Sequence, residues 1–205
     1  KGWILAFHPD LICGTPLGLN IHNYTFFSYC PEEALHLSLR EKQIILEFLE
    51  RIRQELECCI DRHSKKIISK YIELLLDYCT RFYERQFITR SEVNKKVFRE
   101  FNHLLDNHFN VKVSLSTDVL SDEYCANLLH LSPAYFNDLL KYEIGKEFKE
   151  YIQFKRFEIA KGWLVNTDKT LGQIAQELGF SNSQYFSRLF KKITGCSPNE
   201  FRMPN

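Results

Sequence analysis

Residues 170–192 read TLGQIAQELGFSNSQYFSRLFKK, and this stretch decides the fold. Thr170 and Gln173 stand three apart, the spacing at which two polar side chains cap each other's backbone N–H at a helix start. Ile174, Ala175 and Leu178 then recur at helical spacing, with Ala175 small enough to let a following helix cross closely. Gly179 supplies the left-handed backbone of a tight turn, Phe180 plugs the core, and Ser181 is placed to cap a second helix. On that helix Tyr185, Phe186, Leu189 and Phe190 share the inward side. Outside are Asn182, Ser183, Gln184, Ser187, Arg188, Lys191 and Lys192, with three positive charges and no negative one. Two short helices about such a turn make a helix-turn-helix. Its outer face suits a DNA major groove, with short polar groups at base edges and cations on phosphates.

The pattern occurs twice. Tyr135-Phe136, Leu139-Leu140 and Lys141 match Tyr185-Phe186, Leu189-Phe190 and Lys191, 50 residues on, as Gly145 matches Gly195 and Glu150 matches Glu200. Upstream the offset is 49, pairing Ala126 with Ala175 and Leu131-Ser132 with Phe180-Ser181. The single extra residue falls at the start of the second helix, where a terminus can absorb it. The first unit, about 121–144, has His130 in place of the turn glycine and Pro133 at the first helical position. Its outer face holds Ser132, Pro133, Ala134, Asn137, Asp138 and Lys141, and Asp138 repels phosphate, so this unit is expected to bind DNA less tightly than the second, about 170–194. Between them, about 148–166 reads as a helix. About 18 residues at ~1.5 Å each give a rod of roughly 27 Å, close to the ~34 Å that separates successive major grooves on one side of DNA.

Working further outward, residues 1–114 divide in two. Residues 1–37 carry Gly14, Pro16, Gly18 and Pro31, with strand-compatible runs at Trp3–Phe7 and Tyr24–Tyr29, and read as the tail of a domain. From Ser38 the pattern is helical. A Ser38/Glu41 capping pair precedes Ile45, Phe48, Leu49, Ile52, Leu56 and Cys59. A second helix from about Ser64 to Phe82 carries Ile68, Ile72, Leu75 and Cys79. Thr89 and Glu92 repeat the capping spacing ahead of Val93, Val97, Phe101, Leu104 and Leu105. These three helices predict a bundle, or an antiparallel pair plus one, whose apolar stripes either close a self-contained core or serve as a homodimer interface within 38–108. Residues 110–120 are polar and read as a linker to a domain over 115–205. The expected class is mainly α, with a short β-containing N-terminal remnant.

Composition excludes more than it selects. Of 205 residues, 44% are hydrophobic and 26% charged, and the net charge is +1, so a DNA face must arise by segregation of charge. Seven cysteines form no C-x-x-C pair, and read as reduced thiols of a cytoplasmic protein rather than a disulfide or zinc framework. His103 and His108 lie about 500° apart around a helix and share no metal-binding face. The apolar runs are too short to span a membrane. Catalytic motifs, cofactor loops and metal sites are not expected. An alkyl-transfer enzyme would need an activated cysteine, and Cys13 and Cys30 lack basic neighbours. The rival to DNA binding is a helical protein-interaction module, which the near-zero net charge allows.

Residues 121–205 resemble the AraC/XylS regulator domain along their whole length. The resemblance is carried by Ile174-Ala175, Gly179-Phe180-Ser181, Tyr185 through Lys192, Gly195, Ser197-Pro198 and Phe201-Arg202. It implies seven helices, two adjacent major-groove segments of duplex DNA, and bacterial transcriptional control, usually activation with RNA polymerase as a possible partner. It maps base readers onto Ser183, Gln184 and Arg188, and onto Ala134, Asn137 and Asp138. Residues 1–113 look like the latter part of the sensor and dimerisation region of such regulators, with Phe7 to Leu11 and Glu33 to Ser38 resembling stretches that follow a cupin-like barrel. His8 and Asp10 there read as turn residues rather than ligands.

Overall fold

The computed structural model describes residues 2–111 and 120–203, so most of the expected linker lies outside the described residues. The described residues are mainly helical, and no strand occurs among them. They form two compact units, Lys1–Asn94 and Lys95–Asn205.

In the first unit the aromatic-rich segments are not strands. Trp3–Phe7 is irregular and Thr25–Ser28 is a single 3-10 turn. The prolines set this outcome: Pro9 opens α1 (Pro9–Ile12), Pro16 opens α2 (Pro16–Asn20), and Pro31 opens another 3-10 turn, each at a first-turn position where its missing N–H costs nothing. His8 caps α1 by accepting the Asp10 N–H at 3.3 Å, a turn role as expected. Ser38 and Glu41 form the expected capping box at the start of α3 (Leu39–Glu57). α3 packs along α4 (Ser64–Thr89), joining Ile45, Phe48, Leu49 and Ile52 to Ile68, Ile72, Leu75 and Leu76, with Ile12 and Leu17 closing the core. The stripe expected at a dimer interface is therefore largely covered within the chain, although Leu39, Leu46, Leu56 and Ile60 stay exposed. Buried Gln86 holds the 34–36 segment, accepting the His36 N–H at 2.8 Å and donating to the Ala34 carbonyl at 3.3 Å.

α4 runs past Phe82 because Phe82, Gln86 and Phe87 still face inward. Thr89 ends that helix, its hydroxyl donating to the Gln86 carbonyl, and α5 (Ser91–Val111) begins after it. The third helix does not complete a bundle with the first two. Phe101, Leu105 and Phe109 instead pack with Cys125 and Ala126 of α6 (Asp122–Leu128), Phe136 and Leu140 of α7 (Pro133–Ile144), and Phe148, Tyr151 and Ile152 of α8 (Phe148–Asn166). Tyr151 adds a 2.6 Å hydrogen bond to Asn102 Oδ1. The boundary thus falls within α5 rather than at 114/115, because α5 carries side chains the first helix-turn-helix needs to close its core. The other end of α8 gives Phe157, Ala160 and Leu164 to a second core with α9 (Leu171–Glu177), α10 (Ser183–Thr194) and Phe201 of α11 (Pro198–Arg202). The seven helices implied by the resemblance are reached by counting α5 through α11.

Candidate nucleic-acid interface

The two helix-turn-helix units share one turn. The Leu131 N–H reaches the Ala126 carbonyl at 2.9 Å, and the Phe180 N–H reaches the Ala175 carbonyl at 2.8 Å. One residue earlier, His130 donates to Asn127 at 3.1 Å and Gly179 to Gln176 at 3.0 Å. This paired bonding satisfies helix-end carbonyls and requires a left-handed residue between. Gly179 has φ +74°, and His130 takes the same region at φ +57°. Ala126 and Ala175 are fully buried, as close helix crossing demands.

The repeat offset changes inside that turn. In the first unit Ser132 caps α7, accepting the Tyr135 N–H at 3.2 Å. In the second the cap is Asn182, whose Oδ1 accepts the Tyr185 N–H at 2.7 Å. Ser181 is the inserted residue and does not cap, contrary to the sequence expectation. From the cap onward the units run in register, and α7 and α10 both end at a left-handed glycine, Gly145 and Gly195.

On α10, Phe186 and Phe190 are fully buried against Phe157, with ring centroids 6.2 and 6.1 Å away. Gln184, Arg188 and Lys191 fall within about 60° of one another on the opposite side, at roughly 100° per residue, and all three are exposed. Ser181, Asn182 and Lys192 are exposed beside them, while Ser183 and Ser187 are half-buried at the flank. Tyr185 belongs to this surface too. Helical spacing placed it inward, but Tyr185 is 44% exposed, its ring only edging Phe180 at 6.5 Å, whereas its repeat partner Tyr135 is buried.

The equivalent face of α7 is less open. Asn137 donates to Asp122 Oδ2 of α6 at 2.8 Å, which ties its amide to the motif's own packing. Ser132 is buried at its cap, Ala134 and Asp138 are half-buried, and Pro133 and Lys141 are exposed. Lys141 is the cation this helix presents.

Nearby charges are sorted in the same sense. Lys169 pairs with Glu177 and lies over the Trp163 ring, 4.0 Å from its centroid. Arg202 donates to the Leu164 and Lys169 carbonyls. Both cations brace the fold. Glu200 closes the α11 capping box, and the Ser197 backbone N–H and hydroxyl, with Lys191 adding its charge, hold its carboxyl below the usual range. Arg156, which the sequence reading passed over, is half-buried on α8, and its Nε has no hydrogen-bond partner among the described residues. Its signal in the sequence was a position between the Ile152 and Ala160 sides of that helix. Burial pushes the Cys79 and Cys125 thiols up to about 11, the reverse of nucleophile activation. No group of metal-ligating side chains occurs among the described residues.

Residues 125–203 match a family described as a helix-turn-helix domain. Over 101 residues the chain is 32% identical to the arabinose operon regulatory protein of Salmonella typhimurium, covering 49% of this chain and 32% of that protein. Residues 125–203 thus form a helix-turn-helix domain similar to those of AraC-type regulators. Over 111 residues, 54% of this chain, it is 33% identical to the uncharacterized helix-turn-helix regulator YtdP of Bacillus subtilis, of which it covers 14%. The C-terminal domain of the response regulator AraT from Geobacillus stearothermophilus is 32% identical, with a TM-score of 0.44, covering 52% of this chain and 83% of that one. The chain spans less than half the length of these two curated relatives. Among the described residues, no helix is long and apolar enough to cross a membrane.

Proposed function

We propose that this chain is a sequence-specific, duplex-DNA-binding transcription regulator in which α10 is the principal reading helix. The observation that carries this reading is the exposed ridge of Gln184, Arg188 and Lys191, backed by the buried Phe186 and Phe190. A rigid aromatic core fixes the ridge, and the ridge offers an amide, a guanidinium and an ammonium to a groove in that order. Gln184 suits adenine and Arg188 suits guanine, while Ser183 and Ser187 accompany them. Lys191, Lys192 and Lys141 take phosphates, and we assign Arg156 to a backbone phosphate as well. α8, with 19 residues, is about 28 Å long and supports spacing of the two units for successive grooves. With Asn137 bound to Asp122, α7 supplies position more than sequence preference.

We assign the protein to the bacterial cytoplasm, acting as an activator that contacts RNA polymerase, and as a homodimer through the exposed Leu39 and Leu46 ridge of α3. We also assign it no catalytic role. The decisive experiment is fluorescence anisotropy with a labelled random-sequence duplex pool across a salt series, followed by selection of bound sequences. Binding that weakens linearly on a log–log salt plot and enriches a two-box site is expected. Absence of binding at low salt by folded protein would remove the reading. Sedimentation separates the dimer claim: a monomer at tens of micromolar refutes it without touching DNA binding.

A further inference from the structure

The first unit holds a cleft that DNA reading does not use. It encloses about 470 Å³ between the Cys13–Leu17 loop and the N-terminal half of α4, within the size range of small-molecule sites. Its α4 wall carries Lys65, Lys66 and Lys70, with Arg62 just ahead of that helix, against the single carboxylate of Glu73. The loop wall is fixed in place. Leu17 is fully buried, and a Cβ on Gly18 would stand 2.2 Å from the Ile12 carbonyl oxygen, so the chain there is packed too closely for a side chain. The Ser69 hydroxyl, shared with the Lys65 carbonyl, reaches the Leu11 carbonyl at 3.1 Å and ties the loop to α4.

The cations are what this cleft cannot balance by itself. Among the described residues, none of the four pairs with a carboxylate. Elsewhere Arg53 pairs with Glu50 and Glu57, Arg85 with Glu41, and Lys161 with Glu158. Asp61, adjacent in sequence, is directed to the His63 and Ser64 N–H groups. Arg62 Nε donates to His63 Nε2 at 3.0 Å, which leaves its terminal nitrogens for another partner. Lys66 and Lys70 are one turn apart on the same face, a repulsive arrangement for like charges. Three surplus positive charges around one concavity exceed what a single carboxylate ligand neutralises. Phosphate groups match both the charge density and lysine's character as a point-charge donor.

We propose that this cleft binds a small molecule bearing two or more phosphate charges, independently of the DNA face. Inorganic tripolyphosphate is the probe, applied to the full chain at constant ionic strength. Cys13 is exposed at the rim and reports occupancy through its rate of alkylation, resolved by peptide mass spectrometry; exposed Cys58 and Cys59, outside the cleft lining, are internal controls. Tripolyphosphate should slow alkylation of Cys13 severalfold and leave Cys58 and Cys59 unchanged. The paired change Lys66→Gln and Lys70→Gln should weaken tripolyphosphate binding by tenfold or more, on the order expected for two charge-assisted contacts. Glu73→Gln should strengthen it, and circular dichroism confirms that both variants fold. DNA affinity of the paired variant should equal that of the parent, so this proposal fails separately from the functional reading. Protection by chloride equal to that by tripolyphosphate, or none by either, overturns it. If duplex DNA but not tripolyphosphate protects Cys13, and the paired variant flattens the salt dependence of DNA binding, the phosphate is the DNA backbone and the small-molecule site is refuted.

Discussion

Arg188 and Lys191 share one face of α10 but suit different partners. Arg188 lies one turn beyond Gln184, where a planar guanidinium can place two hydrogen bonds on a guanine edge, so Arg188→Ala should cost about 1–3 kcal/mol and relax preference at one base position. Lys191 lies nearly a turn further on, where a flexible ammonium meets phosphate. Lys191→Ala should weaken all sequences alike and make the salt slope shallower by about one. Both are exposed, so neither change should alter the melting temperature much. Equal losses on specific and random duplexes for Arg188→Ala would make it a phosphate contact. His130 makes a second test at this scale. It holds φ +57° in a turn where the other unit uses glycine, so His130→Gly should raise stability by roughly 0.5–1 kcal/mol in chemical denaturation. The left-handed role of both residues was legible because a helix-turn-helix needs one residue of that conformation at that place. The exposure of Tyr185 was not, since its repeat partner Tyr135 is buried and residue identity alone separates nothing between them.

The elements were easier to read than their ends. Apolar spacing located α3, α4 and α6 through α10, because amphipathic period and capping residues are local signals. The insertion between the repeats was visible as a change of offset, yet Ser181 and Asn182 are both good caps and sequence could not choose between them. The structure gives the cap to Asn182, and a direct comparison checks it. Asn182→Ala should destabilise the second unit by about 1 kcal/mol, because it strips the Tyr185 N–H of its acceptor, and Ser181→Ala should change stability by no more than about 0.5 kcal/mol. The reverse ranking in thermal unfolding would restore Ser181 as cap. The strand reading of Tyr24–Tyr29 failed for a different reason. Aromatic content favours a strand only where a neighbouring strand completes the hydrogen bonds, and here Phe26 and Tyr29 instead lay their rings against Tyr83 of α4, at 5.3 and 5.1 Å. α5 was misassigned because its stripe of Phe101 and Leu105 shows that something is covered, not what covers it.

At the scale of the whole molecule the two units have separate cores, and they should therefore respond separately to pH. Glu41 is the test group. Partial burial opposes its charge, but the Ser38 backbone N–H, the Ser38 hydroxyl and the Arg85 guanidinium outweigh that and hold its carboxyl below the usual range. Arg85 reaches it twice, at 3.0 Å from Nε and 2.7 Å from Nη2, and also donates to the His36 carbonyl at 2.8 Å. A carboxyl depressed on folding contributes its stabilisation in full above the unfolded value of about 4.3, and loses it as pH falls through the lower folded value. Arg85→Gln removes one of the groups that produce the depression. Its melting temperature for the first unit should therefore fall below the parent's at about pH 7, and the gap should narrow as pH drops below about 4, where Glu41 takes up a proton in both proteins. Some gap should persist in acid, because the contact with His36 is lost at every pH. The transition of the second unit and the affinity for DNA should not change, since Arg85 and Glu41 lie outside the cores built on α8. Calorimetry over that pH range measures both transitions at once. A gap that is constant with pH would mean that Arg85 acts through packing alone, and a shift in both transitions would mean that the units unfold as one.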